Sequence, residues 1–111
     1  MRSGGRILTH NSLDNLAVIT AQPGLTMTAI RLLNPTAGDA NVQLFDASVT
    51  TGITLGTTMP AWVVNAAATE PSVGDGLPNE GVTFTNGIVA AVTTTVVGTS
   101  TVTAHLRIVI G

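Results

Sequence analysis

The chain has no cysteine, no lysine and no tyrosine, and little charge of either sign. Without cysteine there is no disulfide, no thiolate metal site and no thiol nucleophile. Charged residues make up 9% of the 111 positions, against about 25% in an ordinary soluble domain. All four cations are arginines, Arg2, Arg6, Arg31 and Arg107, and six acids bring the net charge to −2. That balance leaves little with which to neutralise phosphates, so no direct nucleic-acid partner is expected. Aromatic residues are 3%, namely Phe45, Trp62 and Phe84, too few for a sheet that stacks bases. No apolar run is long enough for a membrane span. The opening Met-Arg-Ser-Gly-Gly-Arg leads into Ile7-Leu8-Thr9-His10 rather than an apolar core segment, so no secretory leader is expected.

Threonine takes the place of charge, at about one residue in six, with asparagine and glycine behind it. β-Branched residues dominate and turn signals recur about every 8–12 residues, the pattern of an all-β sandwich or barrel. Residues 1–6 read as a flexible, Gly-rich arm, and residues 7–111 as one β domain. Expected strands run from Arg6 to Thr9, Leu16 to Ala21, Thr26 to Leu33, Asn41 to Asp46, Ile53 to Leu55, Ala61 to Asn65, Val82 to Thr85, Ile88 to Val97 and Thr101 to Ile110. Asn86-Gly87 supplies the positive-φ residues of a tight turn and predicts a hairpin between the seventh and eighth of these. A helical turn is conceivable only around Ala66-Ala67-Ala68, before Pro71, in a long acidic loop from Ala66 to Gly81.

The last strand carries the clearest pattern. Val102, Ala104, Leu106, Ile108 and Ile110 alternate with Thr101, Thr103, His105 and Arg107. A period of two sends one set into the core and the other outward. Ile30 and Leu32, and Val42 and Leu44, supply similar inward sets.

No constellation marks an enzyme. His10 and His105 are far apart, and no Gly-x-Ser-x-Gly elbow is present. His10 reads as a turn or arm residue. The segment Asp75 to Glu80 offers oxygens but lacks the alternating acids of a calcium loop. Catalytic residues, metal ligands and cofactors are therefore expected to be none. A surface of Thr, Ser, Asn and Gln has few charges to guard strand edges or oppose association. Charge depletion is also typical of interface cores. The expected activity is assembly. The interface candidates are Arg2 and Arg6 on the arm, Trp62 as an aromatic anchor, and the outward set Thr101, Thr103, His105 and Arg107.

Three segments, in order, carry a resemblance. They are Val42-Gln43-Leu44-Phe45-Asp46, Leu55-Gly56-Thr57-Thr58-Met59-Pro60 and Gly81-Val82-Thr83-Phe84-Thr85-Asn86-Gly87-Ile88. The second resembles a Gly-Thr-x-x-Pro turn, and the third a Gly-[IV]-x-Phe-x-x-Gly-[IL] hairpin, of small tailed-bacteriophage virion proteins. A Thr-rich strand and a final alternating strand follow in those proteins as here, over residues 28–111. The family often carries an Asp-Thr pair where this chain has Val97-Gly98-Thr99-Ser100. The resemblance implies a jelly-roll-like antiparallel β-sandwich and a capsid decoration (cement) protein. Its partner would be the major capsid protein, on the outer surface of the virion, after synthesis in the host cytoplasm. The chain would act as a homo-oligomer, a trimer before a dimer. The alternative is a tail- or fibre-associated module that binds the host surface.

Overall fold

A computed structural model describes residues 6–69, 71–73 and 77–110. The described residues form nine strands and no helix. They are β1 (Arg6–Leu13), β2 (Ala17–Thr20), β3 (Leu25–Leu33), β4 (Ala40–Asp46), β5 (Trp62–Ala66), β6 (Pro71–Val73), β7 (Val82–Phe84), β8 (Ile88–Thr93) and β9 (Ala104–Ile110). Sheet A has the order β1-β9-β3-β6, with β7 also on β3, and sheet B the order β2-β8-β4-β5. Strands β6 and β7 share one edge of β3, β6 along Arg31–Leu33 and β7 along Leu25–Met27.

All pairings are antiparallel, and they nest: β1 with β9, β2 with β8, β3 with β6, β4 with β5. A long hairpin folded over so that its paired halves alternate between two sheets is the jelly-roll sandwich. The fold class is thus an all-β, jelly-roll-like antiparallel sandwich. Period-two side chains from both sheets fill the space between them, among them Met27, Ile30, Leu32, Val42, Leu44 and Phe84. Burying one such side chain contributes about 1.5–3 kcal/mol. On β9 every second residue, from Ala104 to Ile110, is buried as the alternation requires.

Several expectations need correction. The Asn86-Gly87 turn does not close a hairpin, since β7 pairs with β3 in sheet A and β8 with β2 and β4 in sheet B. The turn instead carries the chain between sheets, and Asp46 at the end of β4 holds it. Its carboxylate accepts from the Thr85 N–H at 3.2 Å and the Asn86 N–H at 2.7 Å. Ile53 to Leu55 forms no strand and joins two turns, the Ile53 N–H donating to the Thr50 carbonyl and the Thr54 carbonyl accepting from the N–H groups of Thr57 and Thr58. The segment Ala66 to Gly81 is not all loop, because Pro71–Val73 pairs with β3. No helical turn forms at Ala66–Ala68, where β5 ends at Ala66. Strand β1 runs on to Leu13, so His10 is a strand residue opposite Leu106. Strand β8 ends at Thr93 rather than Val97, and β9 begins at Ala104 rather than Thr101.

Candidate interaction surface

The two sheets differ in how their outer faces are finished. On the two central strands of sheet B the side chains pointing away from the core are Asn41, Gln43 and Phe45 of β4 and Val89, Ala91 and Thr93 of β8, and all six are buried, whereas Val18 of β2 and Asn65 of β5 on the flanking strands are exposed. The chain's own connections cover them. Gln43 donates from Nε2 to the Thr93 hydroxyl at 2.9 Å and to the Gly98 carbonyl at 3.2 Å. That pins the β8–β9 connection across the face. The β4–β5 connection packs on it in turn, with Gly56 against the Thr99 methyl. Thr and Gln take the place of charge here because these positions lie inside the molecule.

Sheet A keeps its outer face open. Antiparallel register sets Ile7 beside Val109 and Thr9 beside Arg107, and across β9 it sets Ala29 beside Val109, Arg31 beside Arg107 and Leu33 beside His105. Directly opposed residues share a face, so the guanidinium-bearing positions 31 and 107 stand together at its centre. Two adjoining hollows of about 270 and 500 Å³ lie on this face. Arg31 and Arg107 line both, Leu33 and His105 line the smaller, and Ile7, Ala29 and Val109 line the larger. Ile7 is 66% exposed and Leu33 47% exposed.

The polar groups here are held from beneath. Arg107 donates to the Asn11 side-chain carbonyl at 2.9 Å and to the Leu106 carbonyl at 3.1 Å. His105 Nδ1 accepts from the Ser12 N–H at 2.9 Å, which leaves the ring proton on Nε2. Among the described residues no carboxylate bonds either guanidinium. No group of three His, Asp or Glu among them is placed to hold a metal ion, and no helix is long and apolar enough to cross a membrane.

The candidates named from sequence scatter. His105 and Arg107 fall on this face. Thr101 does not, because it bridges Thr93 of sheet B. Thr103 is exposed and precedes β9. Trp62 opens β5 and packs half-buried against the core, its indole N–H buried without a partner among the described residues. Arg6 starts β1 and donates to the Gln22 side chain at 2.7 Å. Arg2 lies outside the described residues. Sequence reasoning missed Arg31, Leu33, Ile7, Ala29 and Val109 as a set. The outward direction of Arg31 follows from its inward neighbours Ile30 and Leu32, but its partner on β9 needs the register. No family model matches this chain, and neither a curated protein nor a solved structure does.

Proposed function

We propose that this chain is a non-enzymatic virion structural protein of a tailed bacteriophage. It serves as a capsid decoration protein that binds and stabilises the shell of the major capsid protein. The observation that carries the reading is the open outer face of sheet A, apolar around one arginine pair, on a jelly-roll sandwich whose other outer face is covered at its centre. Jelly rolls recur in viral capsids and in lectins, and this support is a fold-level analogy. It stands beside the resemblance of the Gly56 and Gly81–Ile88 segments to phage virion proteins.

The work is mechanical. A ligand that prefers the intact lattice over loose subunits stabilises the lattice by mass action. Symmetry repeats a modest contact over the shell, and a homo-oligomer, trimer or dimer, adds avidity across neighbouring subunits. Sedimentation of the purified chain with expanded capsids tests this: co-pelleting at a saturating stoichiometry is expected, and a chain left in the supernatant removes the reading. A host-binding tail module is disfavoured by the aromatics, since Phe45 and Phe84 are buried and Trp62 is half-buried.

A further inference from the structure

We propose that the outer face of sheet A docks an extended protein segment bearing carboxylates. Arg31 and Arg107 hold an acid, and Ile7, Ala29 and Val109 take the aliphatic side chains beside it. The inference deepens the decoration reading and rests on it only for which protein carries the acids.

The argument begins with a cost. Like charges directly opposite on neighbouring strands destabilise a sheet, and this chain sets two of its four arginines in that relation. The described contacts of Arg107 go to a neutral amide and a carbonyl. They orient the guanidinium without cancelling its charge. An anion between the two heads turns the repulsion into a double attraction, and the planar guanidinium fork suits a carboxylate.

The surroundings select among anions. Both hollows meet at the arginine pair, and the larger is floored by Ile7, Ala29 and Val109. A nucleic acid would want more cations than four arginines against six acids provide. An acidic polysaccharide or a base would want broad aromatic platforms, and the described residues lining the hollows include no Phe, Tyr or Trp. An extended polypeptide presents a side chain to the same side about every 6.6–6.8 Å, which lets acids and aliphatic groups alternate along the arginine pair and the apolar floor.

The test uses the full chain and a fluorescein-labelled peptide, Thr-Glu-Thr-Val-Thr-Glu-Thr, whose acids and valine share one side when extended, with a counterpart in which Gln replaces every Glu. Fluorescence anisotropy should show the acidic peptide binding at least about tenfold more tightly than the neutral one. Arg31→Gln and Arg107→Gln should each weaken it by about tenfold. Circular dichroism and a thermal melt establish that each variant is folded. Arg31→Gln keeps the test sound if Arg107→Gln, which also loses the Asn11 contact, does not fold. Equal binding of the two peptides overturns the proposal, as does acidic-peptide binding indifferent to Arg31→Gln. Tighter arginine-dependent binding of a thymidine oligonucleotide overturns it in favour of a nucleic-acid face. Capsid sedimentation of the wild type separates the two readings. Pelleting without peptide binding overturns the acid-docking face alone. Arginine-dependent peptide binding without pelleting supports that face and removes the capsid.

Discussion

The backbone N–H of Ser12 donates to Nδ1 of His105 at 2.9 Å, from the edge strand β1 to β9 beside it. Ser12 sits at a φ of +56° within the register shift between His10 and Leu13. A bulge leaves an unpaired residue that the ladder cannot satisfy. The imidazole satisfies it. His105 is therefore a fastener of β1 as well as a member of the open face.

The tautomer follows from that bond. Long-range ¹H–¹⁵N spectra should show His105 protonated at Nε2 when the ring is neutral. His105→Ala should cost about 1 kcal/mol and speed hydrogen exchange at the Ser12 amide. Unchanged exchange there would remove the fastening role.

Asn34 is fully buried between sheets. Its Nδ2 donates to the carbonyls of Gly38, Ala66 and Ala67 at 2.7, 3.1 and 3.1 Å, and its Oδ1 accepts from the Thr36 N–H and hydroxyl. One amide thus joins the β3–β4 turn to the end of β5. Asn34→Ala should destabilise by about 2 kcal/mol, since the buried Ala66 carbonyl and two part-buried ones lose their donor. A urea titration with an unchanged m-value reads this directly.

Gln43 occupies the covered centre of sheet B, with Oε1 buried and unpartnered among the described residues. Gln43→Met keeps much of the volume and removes that orphan, but it strips Gly98 of a donor. A net loss of about 1 kcal/mol is expected. Proteolysis within residues 94–103 should accelerate far more than cleavage elsewhere, because the bond ties that connection down.

Gly87, at a φ of +147°, has no room for a side chain. A Cβ there would lie 2.7 Å from the Thr20 carbonyl and 2.8 Å from that of Ala47. Gly52, at +87°, has open space around it. Gly52→Ala should cost about 1 kcal/mol from backbone strain alone. Gly87→Ala should cost at least twice that, since backbone must also move. Paired thermal melts check the order.

Strand identity was legible wherever alternation was clean. Ala104 to Ile110 and Ile30 to Leu32 announce their buried faces residue by residue, while on β4 the alternation marks Val42 and Leu44 as inward but not that Asn41 and Gln43 are buried too. Ile53 to Leu55 has the right residue types but no neighbouring strand, and the backbone closes into turns on Thr54 instead. Pro71–Val73 has little to mark it, and becomes a strand because the edge of β3 beyond Arg31 offers partners. Asn86-Gly87 has the same local chemistry whether a turn joins neighbours or crosses between sheets. The bonds from Asp46, forty residues away, belong to the crossing. The shortage of charge also reads differently once sheet B is seen to carry its own cover. Asn41, Gln43 and Thr93, which looked outward, are interior, and the outer face of sheet A is left open at its centre.

By itself the amino-acid sequence determined that this chain is all-β, poor in charge, without cysteine, and built from strands with a period of two. These are properties of each segment's own residues. Tertiary structure decided which strands pair and in what register, and so that Arg31 faces Arg107, that Thr101 belongs to the other sheet, and that one outer face is covered at its centre. Alternation sends side chains to one side or the other of a strand. Only closure of the whole sandwich, where distant strands compete to bury apolar faces and satisfy backbone groups, sets which side chains meet.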